Sequence, residues 1–471
     1  LSTGLVWLRR DLRLFDNPAI AAAAQRHDRV LVCFCFEHGL IRGRFSSPNR
    51  NAYLIEALSS IERELREIGG RLVFREGRPS YEIPALAREI GAEAVHACAD
   101  HTPHARSRDA LVARELGGER TELVLHAGIA CTDVGAIADA SGEPFRIFDP
   151  FFDAWRQAPR RPPVLRPRLL LAPEGVTAGS VPPFSRLKID SDAKRIADLN
   201  SPGEAASRRK LDEYIKKTST YDEARDRPDL DWTSHLSTAI HFGCISPANF
   251  EERLAARPGR GRIQLRRQLA WRDYFLHLAH HFGGQFERGH ERNMRDFRWR
   301  RDRKALDAWK RGHTGLPLVD AGMRQLLSEG WMHGRIRMLA AHFLTKHLLC
   351  DWRDGEAHFM RHSIDGDVAI NNGNWQWAAS LGADPLIYFR VFNPVRQHQR
   401  FDPDGIYVRR WLPELADIPD EYIAEPWLTP PDIQKRARCV IGEDYPAPMI
   451  DLREARKHSI ERFRRHLASV N

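Results

Sequence analysis

Hydrophobic residues follow two rhythms along the chain. In the first third they come in short runs: Gly4-Leu5-Val6-Trp7-Leu8, Val30 to Phe36, Arg71-Leu72-Val73-Phe74, Ala94-Val95-His96-Ala97-Cys98 and Leu123-Val124-Leu125. Apolar runs of this length predict strands buried on both faces. Between the second and third, Leu54, Leu58, Ile61, Leu65 and Ile68 fall on one face of a helix that Gly69-Gly70 ends. Strands alternating with helices predict a parallel, doubly wound sheet, and such sheets bind ligands beyond the strand carboxyl ends. The loops there are Arg9 to Arg13, Glu37 to Arg50 and Ala99 to Arg108. No Gly-x-Gly-x-x-Gly follows the first strand, so the dinucleotide fingerprint is absent.

From about Gly128 to Asn200 the periodicity fades, and Arg160-Arg161-Pro162-Pro163 and Pro182-Pro183 break any element. This stretch reads as an interdomain linker that wraps the surface. From Ser201 onward the pattern is helical, most clearly over Leu265 to Phe282, Val319 to Leu327 and Arg335 to Leu349. The expected fold class is α/β plus all-α: a doubly wound sheet domain over 1–128, a linker over 129–200 and a helical domain over 201–471.

Composition narrows the class. A chain of 471 residues with 42% hydrophobic content suits two or three globular domains. No apolar run has the length of a membrane span, and no secretory leader is expected. Seven scattered cysteines show no metal-type spacing, and Cys33 and Cys35 point to one face of a strand. That suits a reducing cytoplasm. The net charge of +9 suggests a polyanionic partner.

The densest chemistry lies between Trp331 and Trp377. Trp331-Met332-His333-Gly334-Arg335-Ile336-Arg337-Met338 and Asp351-Trp352-Arg353-Asp354-Gly355-Glu356 lead into Ile364-Asp365-Gly366-Asp367 and Asn371-Asn372-Gly373-Asn374-Trp375-Gln376-Trp377. A plain core needs fewer acids, amides and arginines, because buried charges without partners cost too much to keep. The pattern reads as a buried polar pocket for a large, flat, redox-active cofactor, with an ordinary helical core and capped helix ends as the alternative. These motifs, with Trp7 to Leu14, Trp271-Arg272-Asp273-Tyr274-Phe275, Phe392-Asn393-Pro394 and Trp411 to Leu415, occur in the order and spacing of the photolyase/cryptochrome family. The chain resembles most closely the microbial enzymes that repair cyclobutane pyrimidine dimers, over nearly its whole length.

The resemblance implies FAD folded into a U within the helical domain. Thr233, Ser234, His235, Leu236 and Ser237 match the segment that holds its phosphates, and hydroxyls and amides at a helix start suit an anion. Tyr221 and Arg225 match the edge of that site, and Arg272 belongs to the same set. The family pairs Arg337 with Asp365 beside the flavin ring and places Asp367 and Arg335 near it. Asn371 matches the residue facing flavin N5; related plant cryptochromes carry an acid there, so the amide favours repair. Trp375, Trp352 and Trp299 match the chain that carries electrons inward from the surface. Trp271 and Trp377 match the aromatics that hold a flipped dimer, with Met338 beside them and Arg396 and Arg400, like Arg225 and Arg335, as candidates for DNA phosphate contacts.

Two positions depart from the dimer-repair pattern. Gln268 stands where a glutamate usually reads the base edges, and Gly334 where an asparagine is usual. The (6-4) photolyases carry histidines at the positions of Gly334 and Met338, so their chemistry is not expected here. The loop Asp100 to Pro103 and the segment Pro48 to Tyr53 resemble a deazaflavin-type antenna pocket, with folate, a second flavin or no chromophore as alternatives. The implied function is light-dependent repair of UV-damaged DNA by a monomeric, cytoplasmic, metal-free flavoenzyme. A cryptochrome-like photoreceptor and a flavin-free DNA-binding protein are the rival readings.

Overall fold

The computed structural model describes residues 1–118, 120–257, 259–385 and 387–470. Five strands form one sheet: β1 (Thr3–Leu8), β2 (Arg29–Glu37), β3 (Leu72–Gly77), β4 (Ala94–Cys98) and β5 (Glu122–His126). Their order is β3-β2-β1-β4-β5, and every pairing is parallel. All six residues of β1 and all five of β4 are buried, which is why their sequences run apolar without alternation. Cys33 and Cys35 join Leu5, Trp7, Leu31 and Val73 in one core cluster, the shared face that strand periodicity predicts. The chain leaves β1 toward β2 and returns to β4 on the other side. The loops after β1 and β4 therefore flank the topological switch point.

The predicted helix after β2 runs over Pro48–Arg66 and buries Leu54, Leu58, Ile61 and Leu65. It ends before Ile68, and Gly69 takes a left-handed φ of 78° in the turn that follows.

Contacts divide the chain into two compact units: Leu1–Asp222, Ser234–Gly284 and Ile364–Ile370 in the first, Glu223–Thr233, Gln285–Ser363 and Asn371–Asn471 in the second. The boundaries expected near 128 and 200 both lie inside the first unit. Within it the segment 129–200 has helices of its own, Phe148–Gln157 and Ser191–Leu199. The former buries Phe148, Phe151, Phe152 and Trp155. The indole of Trp155 donates to Asp273 at 3.0 Å, fastening this segment to the long helix Arg260–Phe282.

In the second unit Trp309, Trp352, Trp375, Phe343, Phe359 and Met323 share one buried cluster. The helix expected over Arg335 to Leu349 is Gly334–His342 followed by one wide turn, Phe343–His347. That turn buries Lys346, whose amine donates to Ser380 Oγ at 2.6 Å and is held well below its ordinary pKa by burial. Among the described residues no helix is long and apolar enough to cross a membrane. All seven cysteines are buried and unpaired.

Candidate functional site

In the first unit the acids at the start of the helix Val368–Ala379 sit in a charged frame. Asp367 is 3% exposed, and its Oδ1 caps the helix by accepting from the Ile370 amide at 3.1 Å. Its Oδ2 accepts from Arg10 Nη2. Arg10 also stands 3.5 Å from Asp100 and donates to the His241 carbonyl at 3.3 Å. Burial alone would raise the Asp367 pKa, but Arg10, His241 and Arg272 together more than offset it, so the carboxyl lies far below the usual range. Asp100 is lowered to about 2, where Arg10, the Thr102 amide, Arg9 and Arg108 together outweigh burial. Burial pushes His241 down to about 4, its carboxylate neighbour 3.7 Å away only partly opposing this. Arg50, also buried, falls to about 10 although Asp365 and Asp367 attract its charge. At neutral pH the frame therefore holds ionised acids, charged guanidiniums and a neutral imidazole. Sequence reasoning placed Arg10 and Arg50 only in ligand-side loops and missed His241. Arg10 and Asp367 are 357 residues apart, and no local pattern joins them.

The segment Ser234 to Ser237 leads into a short helix, Ser237–His241. His235 adopts a left-handed φ of 49°, a costly conformation for a residue with a Cβ. Ser234 Oγ accepts from the Leu236 amide at 3.3 Å. Tyr221 is 7% exposed, and Arg272 lies 3.2 Å from Asp273. On the same long helix Trp271 stacks face to face on Phe148, ring centroids 3.6 Å apart and planes within 6°. One face of its indole is thus already covered. Gln268, half-buried, stands one turn before it on the same side of the helix.

In the second unit Thr233 Oγ1 is buried without a hydrogen-bond partner. Asp226 gathers Arg335, at 2.8 Å, and Arg225, at 3.6 Å. Arg335 also lies over the Phe401 ring at 4.7 Å. Arg337 donates through Nε to the Met332 carbonyl at 2.7 Å. Gly334 is exposed, and a Cβ there would meet nothing within 4 Å; Met338, one turn on, is half-buried. Arg396 and Arg400 are exposed on the helix Pro394–Phe401, whose start Asn393 caps. Trp377 is half-buried, with His342 edge-on at 5.9 Å.

Asn371 donates through Nδ2 to the Glu356 carbonyl at 3.1 Å, leaving its Oδ1 as the acceptor end. Beneath it, Asn372 donates to Glu356 Oε1 at 2.8 Å and to the Phe286 carbonyl at 3.0 Å. Gln376 donates to Asn372 Oδ1 at 2.8 Å and to the Gln285 carbonyl at 3.0 Å. This amide network escaped sequence reasoning, although all three side chains lie in the motifs quoted above. Trp375 and Trp352 are 2% and 0% exposed, while Trp299 is only half-buried. Phe359 and Trp309 meet Trp375 edge-on at 5.1 Å and 6.0 Å. Gly355 makes room for Trp375: a Cβ there would collide with the indole and lie 2.7 Å from Leu344.

Two family models match the chain, one for DNA photolyase over residues 4–168 and one for the FAD binding domain of DNA photolyase over residues 265–465. A deoxyribodipyrimidine photo-lyase of Streptomyces griseus is 38% identical over 460 residues, 97% of this chain and 98% of that protein. The chain belongs to the DNA photolyase family. Among photolyase structures, the bacterial class III enzyme of Agrobacterium tumefaciens superposes with a TM-score of 0.93 at 34% identity, covering 99% of this chain and 98% of the other. A Sulfolobus tokodaii photolyase with two FAD molecules gives 0.84 at 29%, covering 98% and 100%. A Synechocystis cryptochrome gives 0.90 at 27%, covering 98% and 99%. The photolyase-type FAD-binding domain agrees with the side chains present: a buried Thr233 hydroxyl with unmet hydrogen-bonding capacity, and a neutral acceptor on Asn371.

Proposed function

We propose that the chain is a light-driven deoxyribodipyrimidine photo-lyase that splits cyclobutane dimers in UV-damaged DNA. What carries this reading is the match, over nearly the full length of both chains, to a protein of that name. When bound in its reduced form, FAD supplies on excitation the electron that opens the cyclobutane ring and takes it back. The remaining roles belong to side chains. Thr233 to Ser237, with Tyr221 and Arg272, hold the diphosphate and its surroundings. Arg337, Asp365, Asp367 and Arg335 fix polarity at the flavin ring. Asn371 offers Oδ1 toward N5, because its amide nitrogen is engaged by the Glu356 carbonyl. Trp299, Trp352 and Trp375 pass electrons inward, from a half-buried indole to two buried ones.

Trp271, Trp377, Met338 and Gln268 receive the dimer. A damaged pair costs less to extrude than a normal base, and aromatic stacking returns roughly 1–3 kcal/mol per base. Arg225, Arg335, Arg396 and Arg400 contact DNA phosphates, so binding weakens as salt rises. An antenna of deazaflavin type, a cytoplasmic monomer, and the division into antenna domain, linker and catalytic domain at 128 and 200 complete the proposal. The Sulfolobus photolyase carries two FAD molecules, which keeps a second flavin as the alternative antenna. The Synechocystis cryptochrome supports a second reading, a photoreceptor built on the same flavin and tryptophans. Illuminating the reduced protein with dimer-containing DNA separates them. Dimers should fall in light and persist in the dark; dimers that persist in both would overturn the lyase reading.

A further inference from the structure

Trp299 lies in an unusually cationic setting. Residues 288–304 carry eight arginines and lysines against three acids, and the helix Leu452–Val470 carries six against two. The two segments are joined. Arg462 donates to the Arg298 carbonyl, and His466 to the Asn293 carbonyl at 2.8 Å. Phe463 packs edge-on to Trp299 at 6.3 Å and stacks on Phe297 at 4.4 Å. Arg298 and Arg300, on either side of Trp299, are exposed, as are Arg464 and Arg465. Burial lowers the Arg462 pKa, and Arg300 and Arg465 lower it further, so these three cations crowd one another. A nearby acid, Asp302, approaches Arg300 at 3.4 Å.

This setting conflicts with a bare electron entry point. An indole that has given up an electron is positive, and surrounding like charge raises the energy of that state. A bound anion relieves the conflict. A surface of one sign also concentrates small ligands of the opposite sign and speeds their arrival.

We propose that this arginine-rich face docks a small anionic one-electron donor, of the ascorbate class, that refills Trp299. The inference rests on the tryptophan-chain reading above. One electron passes from the donor monoanion to the oxidised indole, which returns to its neutral form with its N–H intact. The donor leaves as a radical and gives its proton to water.

Fluorescence quenching tests the face without any flavin photochemistry. The Trp299 contribution is the difference between the parent and Trp299→Phe. At low salt, iodide should quench it several-fold more than caesium, with neutral acrylamide between. The double variant Arg300→Gln/Arg465→Gln should lose at least half of that preference. In the same variant, flavin photoreduction by ascorbate should slow roughly threefold or more, while the rate with neutral dithiothreitol stays unchanged. Equal quenching by iodide and caesium overturns the proposal, and so does equal slowing with both donors. Undamaged duplex DNA that abolishes the iodide preference would make this a DNA surface and also overturn it. A parent that neither donor reduces in light refutes the tryptophan chain itself and this docking with it, whatever the quenching shows.

Discussion

The helix Val368–Ala379 is held by opposite chemistries at its start and in its middle. At the start, Asp367 is locked by a guanidinium and lies near a neutral imidazole. In the middle, Asn372 and Gln376 are held by amides, carbonyls and one carboxylate, and Trp375 by aromatic edges. The difference teaches what each device is for. A buried charge tolerates no misplacement, because losing its partner costs several kcal/mol, so ion pairs fix position and local field. Neutral amides satisfy one another at about 1 kcal/mol each and add little net field. The proposed electron-carrying role of Trp375 would be served better by the second kind.

The sharpest way to break the charged half is Asp367→Asn. It leaves Arg10 buried with only the more distant Asp100, and should cost about 3 kcal/mol in urea unfolding at neutral pH. A cost below about 1 kcal/mol would mean that Asp100 suffices.

The same half should respond to acid. His241 and His101 have folded pKa values lowered to about 4, against about 6.5 when unfolded. Their contribution is whole above pH 6.5 and is lost as pH falls toward 4, since the unfolded chain takes up protons first. Asp100, lowered to about 2 from about 3.9, extends the loss below pH 4. Unfolding free energy measured from pH 7 to pH 4 should fall steadily, and at least as steeply in Asp367→Asn, where the carboxylate that partly holds the His241 pKa up is gone.

The neutral half breaks through volume and through amides. Gly355→Ala drives a methyl into Trp375 and Leu344 and should cost roughly 1–3 kcal/mol, read as a lower melting temperature with altered tryptophan emission. Asn372→Ala removes the donor to Glu356 Oε1 and one of two donors to the Phe286 carbonyl, for about 1–2 kcal/mol by chemical denaturation.

The smallest effects belong to the two departures from the dimer-repair pattern. Gln268→Ala should weaken dark binding of dimer-containing DNA by roughly 0.5–1.5 kcal/mol, measured by titration. Gly334→Asn should leave stability within about 0.5 kcal/mol, because its added side chain enters open space, and leave dimer affinity equal or higher.

The sheet was legible because a strand buried on both faces writes its burial into consecutive residues, as β1 and β4 do. The family motifs set the expectation of flavin chemistry around Asp365 to Trp377, and what the structure adds there is the packing of those side chains. Three features resisted. The helix Phe148–Gln157 has its aromatics at helical spacing, but the stretch around it reads as linker because of the proline pairs at 162–163 and 182–183; its own Pro150 lies in a first turn, which tolerates proline. The wide turn Phe343–His347 keeps an apolar pattern that an ordinary helix would also show. The partnership of Arg10 with Asp367 depends on tertiary folding alone.

Gly355 carries a consequence of another kind. Electron tunnelling decays exponentially with separation, so a small displacement of one station changes a rate far more than it changes a melting temperature. The absent side chain at position 355 lets the Trp375 ring settle fully against its helix. If Trp375 serves the proposed electron chain, a larger residue at 355 would detune transfer through it more than it lowered stability.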